Sequence, residues 1–233
     1  MKYKVNLARC AVLAAMAVIA SAATFNPAQA ASSWADKPFD EVEGLAQQGD
    51  ARAERELCTR YGKGLSVDQN IVEAFDWCRK AAEQGDPVAE RNVGLAYHDG
   101  DAVRKDDKQA FAWFQKAAEK GDAPAQYNLG TCYAQGQGTE RDRAQAVTWY
   151  RRAADQGVAK AQERLGLMLA QGQGAPINLV EAYKWLALAS KADEPNAPAE
   201  RDRTAKQMSP AQIAGAQQAA DAWSPKIEMN EAD

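Results

Sequence analysis

The side chains able to do chemistry are few in this sequence. Its 233 residues include one histidine, His98, and four cysteines, Cys10, Cys58, Cys78 and Cys132. One histidine rules out a His-rich metal site, and no Cys/His/Asp group has ligand spacing. As a general base His98 would need a Ser or Cys nucleophile at a useful distance, and none stands there. Neither a glycine-rich phosphate cradle nor a nucleophile elbow is present. Acidic pairs such as Asp50 and Glu54 fall at helix starts and read as caps. The sequence therefore predicts no catalytic residue, no cofactor and no metal. The charge-rich stretch from Arg104 to Lys108 reads as a solvated loop and helix start. With 28 basic against 32 acidic residues the net charge is −4. That balance gives no basic footprint for displacing counterions, which argues against a nucleic-acid partner.

What remains is recognition, and its residues are carried by a repeat. Trp77, Trp113, Trp149 and Trp185 recur at one spacing, as do Gly49, Gly85, Gly121 and Gly157. Four units follow without insertion: 45–80, 81–116, 117–152 and 153–188. Each unit reads as two helices. Asp50, Asp86 and Asp122 cap the first, where a carboxylate accepts from free backbone N–H groups. Asn70, Asp106, Asp142 and Asn178 start the second, with Glu73, Gln109, Gln145 and Glu181 at the capping-box spacing. Gly64, Gly100, Gly136 and Gly172 stop the first helix.

Apolar positions three and four apart make one buried stripe per helix. The tryptophans stand in that buried phase and read as repeat core. Gly94, Gly130 and Gly166 are expected to face Ala110, Ala146 and Ala182, letting antiparallel helices approach. That register sets Cys58 against Ala74 and leaves Cys78 a full turn away. A Cys58–Cys78 bridge is then conceivable, with free buried thiols as the alternative. A helix pair cannot bury its apolar surface alone, so the units must stack into an all-α solenoid.

The flanks read differently. Lys2, Lys4 and Arg9 precede an apolar run from Ala11 to Ala23, and Ala28-Gln29-Ala30 fits a small-x-small cleavage site. Residues 1–30 are expected to be a signal peptide, giving a periplasmic or secreted chain without a transmembrane span. Loss of its three cations would turn −4 into −7. Residues 31–48 are expected to form an N-terminal capping helix, and 189–223 C-terminal capping helices. There Ser209-Pro210-Ala211-Gln212 supplies a capping box. Residues 224–233 are expected to be a disordered tail.

The third unit carries Ala125, Leu129, Gly130, Tyr133, Gly136, Gly138, Ala146, Trp149, Ala153, Ala154 and Gly157. In this pattern the chain resembles the Sel-one-like repeat family, related to tetratricopeptide repeats. The first unit departs at Cys58 and Ser66, the second at Ala102, the fourth at Leu169. The resemblance implies a right-handed α/α superhelical solenoid acting as a protein-binding scaffold, often in the bacterial envelope. By analogy with tetratricopeptide grooves, the first helices would line a concave face. Its outward residues are Arg52, Arg55, Thr59, Arg91, Asn92, Leu95, Tyr127, Asn128, Thr131, Lys160 and Glu163. Arg and Asn at successive units could hold the backbone or carboxylate of an extended peptide, and Tyr127 and Leu95 could add apolar contact. A monomer binding a protein or peptide partner is the leading expectation. Two alternatives come from relatives: β-lactam binding or hydrolysis, as in cysteine-rich members, and polysaccharide or peptidoglycan recognition.

Overall fold

The computed structural model describes residues 34–226. The expected signal peptide at 1–30, residues 31–33 of the expected N-terminal cap and residues 227–233 lie outside them. Within the described residues the chain is all helical. After a 3-10 turn at Trp34–Asp36 come α1 (Phe39–Gln47), α2 (Ala51–Lys63), α3 (Ile71–Glu83), α4 (Pro87–Asp99), α5 (Asp107–Glu119) and α6 (Ala123–Gln135). Then follow α7 (Arg143–Asp155), α8 (Ala159–Gln171), α9 (Leu179–Lys191), α10 (Ala197–Ala205) and α11 (Pro210–Asp221). The pairs α2/α3, α4/α5, α6/α7 and α8/α9 each form an antiparallel hairpin, and each hairpin packs on the next. No helix among the described residues is long and apolar enough to cross a membrane. Contacts run between sequence neighbours, as expected of a solenoid. Helix α1 packs on α2, and α10 and α11 both pack on α9.

Local chemistry explains the boundaries. Asp50, Asp86 and Asp122 accept backbone N–H bonds at the starts of α2, α4 and α6. Asn70, Asp106, Asp142 and Asn178 do the same for α3, α5, α7 and α9. At α8 the cap is Val158, which has no side chain to offer. The expected box at α3 and α9 is not closed. Glu73 and Glu181 instead accept from the indole N–H of Trp77 and Trp185, both at 3.1 Å. The box at Ser209–Gln212 does close. Lys226 donates its backbone N–H to Asp155 O, so the chain is still held at that point.

The helices of a hairpin meet at one phase: as expected, a Cβ on Gly94 or Gly166 would lie 3.4 or 3.1 Å from the carbonyl of Ala110 or Ala182, but a bulkier side chain stands nearer still. A Cβ built on Gly94 would lie 2.7 Å from the Phe114 ring, on Gly130 2.8 Å from Tyr150, and on Gly166 2.7 Å from Leu186. Each glycine therefore faces a bulky side chain one turn beyond the alanine assigned to it. That bulky side chain, a ring in two hairpins and Leu186 in the third, fills the gap. In the first hairpin the same two places are Cys58 and Cys78, and a disulfide joins them with Cα atoms 5.0 Å apart. A bridge that the expected register made awkward is direct in the observed packing.

The tryptophans are not uniformly core. Trp185 is 1% exposed and Trp77 8%, but Trp113 and Trp149 are half-buried. A cation covers the ring in every unit: Lys80 on Trp77, Lys116 on Trp113, Arg152 on Trp149 and Lys184 on Trp185, at 3.6 to 4.6 Å. Each such contact is worth about 0.5–1 kcal/mol near the surface. Between hairpins, Phe75 meets Tyr97 and Phe111 meets Tyr133 edge to face. Phe39 on α1 meets Tyr61 in the same way, so the N-terminal cap imitates a preceding unit.

A second periodic feature is polar. Glu54, Glu90, Gln126 and Gln162 are buried at one phase of the first helices. The residue closing each second helix reaches them: Gln84 to Glu54 at 2.7 Å, Lys120 to Glu90 at 2.6 Å and Gln156 to Gln126 at 2.9 Å. Lys120 and Gln156 also donate to the carbonyls of Gly85 and Gly121. Burial pushes the Glu54 carboxyl above the ordinary glutamate value.

Two outcomes follow. Trp185→Ala should destabilise by about 3–5 kcal/mol, as for a fully buried aromatic, and Trp113→Ala by clearly less; equal losses in urea melts would contradict the burial difference. Glu54 binds its proton more tightly folded than unfolded. Its contribution to stability therefore falls as pH rises from the ordinary glutamate value of 4.5 through the raised one. Glu54→Gln, which copies Gln126, should melt increasingly above the parent across that window. A constant difference would rule this out.

Candidate functional site

The first helices α2 and α4 and the start of α3 enclose an open groove of ≈ 480 Å³. Cys58, Thr59, Phe75 and Cys78 line it from the first hairpin, and Arg91, Asn92 and Leu95 from the second. Charges of both signs, Lys63, Asp99 and Asp101, border it.

A single residue explains why the groove opens here. In the third unit a Cβ on Gly138 would lie 2.0 Å from Asp107 O, and in the fourth one on Gly174 would lie 2.2 Å from Arg143 O. Those loops rest directly on the first turn of the preceding second helix. One unit earlier the same places hold Ala102 and Ile71. Ala102 keeps the positive φ, 63°, but carries a Cβ. The loop must stand off α3 by that methyl, and both residues line the groove. Ile71 and the adjoining Val72 are exposed at 49% and 55%.

The structure divides the sequence-derived candidates. Thr59, Arg91, Asn92 and Leu95 share the groove, with the disulfide Cys58–Cys78 in its wall. Arg55 and Arg91 are largely engaged already. Their guanidinium groups pair with Asp86 at 2.9 Å and Asp122 at 2.7 Å, the caps of the next unit's first helix. These arginines tie one hairpin to the next. Thr59 donates its hydroxyl to Arg55 O, while Arg52 is exposed beside the cap of α2.

Further along, Tyr127 and Thr131 gather at Tyr150, whose hydroxyl lies 3.1 Å from that of Thr131. Burial pushes the Tyr150 hydroxyl up to about 12. Asn128 is half-buried and Lys160 exposed. Glu163 does not face solvent: it is 7% exposed, on the helix that α10 contacts. Sequence reasoning missed Phe75, Ile71 and Val88 in the groove. The signal that could have found them was Ala102 at a glycine phase.

Cys132 and His98 lie apart from this groove. Cys132 is buried, and desolvation pushes its thiol up to about 12, so the nucleophilic thiolate is scarce at neutral pH. His98 Nδ1 lies 3.4 Å from Asp107 Oδ1 across the α4–α5 hairpin. Among the described residues no group of His, Cys, Asp and Glu could hold a metal ion. Each repeat tryptophan carries a cation over its ring.

Comparison with known proteins agrees with this geometry. The model of the Sel1 repeat matches residues 51–86, 87–122, 123–158 and 159–194, each beginning at a first helix. Among solved structures, a protective antigen present in uropathogenic Escherichia coli strains, displaying an SLR fold, is 34% identical with a TM-score of 0.71. That match covers 78% of this chain and 39% of that one. A Sel1 repeat protein from Oxalobacter formigenes is 35% identical with a TM-score of 0.62, over 66% of this chain and 63% of its own. The chain thus spans less than two thirds of either protein. No curated protein matches it.

The disulfide gives this site a direct check. Peptide mapping without reductant should return Cys58 linked to Cys78, with Cys132 as a free thiol. Because the bridge closes a loop of 20 residues, reducing it should cost about 3 kcal/mol. Recovery of three thiols from natively produced protein would overturn the pairing.

Proposed function

Since the chain belongs to the Sel1 repeat family, whose members are generally protein–protein interaction scaffolds, we propose that it is an exported adaptor of a cell-envelope complex. It would bind a partner segment along the face made by its first helices. The observation that carries this reading is the groove across α2, α3 and α4. It offers apolar contact from Phe75 and Leu95 beside hydrogen-bonding groups on Thr59 and Asn92. Extended peptides are recognised by this combination, side-chain pockets giving specificity and polar groups fixing the backbone.

Arg55 and Arg91 have a different part in this reading from the one their spacing suggests. Their engagement with Asp86 and Asp122 keeps α2, α4 and α6 aligned, which holds the groove walls rigid. Rigid walls lower the ordering cost of binding. Export is supported by the amino-terminal sequence pattern and by the disulfide, a bond that persists in oxidising compartments. A Sel1 repeat fold is typically a non-catalytic scaffold, and the buried Cys132 thiol fits that reading.

Replacing Asn92 by Ala together with Leu95 by Lys should reduce partner recovery from envelope extract by roughly tenfold or more. That is the loss of one hydrogen bond and one apolar contact. Leu95 also packs against the core around Phe114 and Leu129, so Asn92→Ala alone, whose melting temperature should change little, serves as the control for loss of fold. Recovery equal to the parent protein, with the fold intact, would reject this face.

A further inference from the structure

The polar ladder stops one unit early, and where it stops there is a cavity. In the third unit Gln156 donates its side-chain amide to Gln126 Oε1 at 2.9 Å and to Gly121 O at 3.1 Å. In the fourth unit the equivalents of those acceptors are Gln162 and Gly157, but the residue closing α9 is Ala192. Gln162 is 3% exposed and donates to Ala154 O, as Gln126 does to Ala118 O. Among the described residues, no side chain donates to Gln162 Oε1 or to Gly157 O. Nearby, Trp223 packs edge to face on Trp185, and its buried Nε1–H has no acceptor. Gly157, Gln162, Ala192 and Trp223 all line one open cavity of ≈ 350 Å³.

We infer that this cavity is a binding site for a carboxamide, the side chain of a glutamine or asparagine presented by a protein partner. Two acceptors define the ligand. In the third unit the equivalent acceptors take both N–H groups of one nitrogen, and Gln162 Oε1 and Gly157 O offer the same pair. A primary amide supplies that nitrogen without a charge. An ammonium fills the place in the second unit, where Lys120 meets the carboxylate of Glu90, but the acceptor here is the neutral Gln162, and Lys191 and Asp221 at the rim already pair with each other. A carboxylate would put its charge against two acceptors. The chain itself provides the precedent, because Gln156 fills the same place one unit earlier. The closing residue has nearly the same backbone in both units, φ −94° and ψ 16° at Ala192 against φ −85° and ψ 0° at Gln156. Only the side chain differs. Trp223 and Pro225 lie 3.6 Å from a Cβ built on Gly157, forming a wall that the inner units lack. This site is independent of the α2–α4 groove and stands or falls separately from it.

The test is a titration of nitrogen-labelled protein with propionamide, following the Trp223 indole resonance identified by its loss in Trp223→Phe. The signal should move saturably at millimolar propionamide and hardly at all with methyl ethyl ketone, which has the same shape without the N–H donors. Ala192→Gln should complete the ladder from within. It should raise the melting temperature and weaken propionamide binding by about tenfold or more, the equivalent of one hydrogen bond. Ala192→Leu should block the cavity without satisfying its polar groups, and so weaken binding with no gain in stability. A Trp223 signal that does not respond to propionamide would overturn the site. So would an equal response to the ketone, or undiminished binding in both Ala192 variants.

Discussion

Two antiparallel helices can close on each other only where one of them yields its side chain, and this molecule depends on that condition at a fixed interval. Gly94, Gly130 and Gly166 yield, and Phe114, Tyr150 and Leu186 fill the space. Cores are packed close to crystal density, so a missing Cβ on one helix must be matched by atoms from the other. The first hairpin satisfies the condition differently, with Cys58 and Cys78 joined across the gap. A covalent bond substitutes there for a ring on a glycine. It does so in the terminal unit, whose outer side is covered, among the described residues, by the 3-10 turn and the short α1.

Close approach within a hairpin leaves open how one hairpin sits on the next. Ridge packing alone would tolerate sliding. The polar ladder and the arginine pairs do not, because a buried acceptor that loses its donor costs about 1–3 kcal/mol. Glu54, Glu90 and Gln126 each have one donor at one distance along the chain. Arg55 and Arg91 fix the same interface from the exposed side by holding Asp86 and Asp122. The carboxylates of those aspartates therefore cap a helix with one oxygen and bind an arginine with the other. One residue sets both the helix start and the stacking.

The period, the helix caps and the glycine stops were legible in the sequence because each depends on a few neighbouring residues. Asp50 caps α2 whatever surrounds it. What fills the gap across a hairpin was not legible. Gly94 meets both Ala110 and Phe114, which are one turn apart, and only the observed packing shows that the ring of the second fills the space. That single turn decided whether Cys58 and Cys78 could bond. The same limit applied to Arg55 and Glu163. Outward phase on a helix says that a side chain leaves the hairpin, not whether the next hairpin or a capping helix receives it. Trp113 and Trp149 reversed the inference, standing in a core phase yet left half-buried, with a lysine or arginine closing over them.

In a repeat protein the regular positions are fixed by stacking, which every unit needs, so specificity must come from the irregular ones. Ala102 adds one methyl where the inner units have none, and a groove opens beside it. Ala192 removes one long side chain where the inner units have it, and polar atoms are left facing a cavity. The two changes are opposite in size and lie in different units, yet they have the same effect. Each breaks a contact that the period would otherwise close, and each exposes groups whose proper partners are visible one unit away. The neighbouring unit thus serves as a template for the ligand. Where it shows backbone against backbone, as at Gly138 and Asp107, the irregular unit offers space for an extended chain. Where it shows an amide on two acceptors, as at Gln156, the irregular unit calls for an amide.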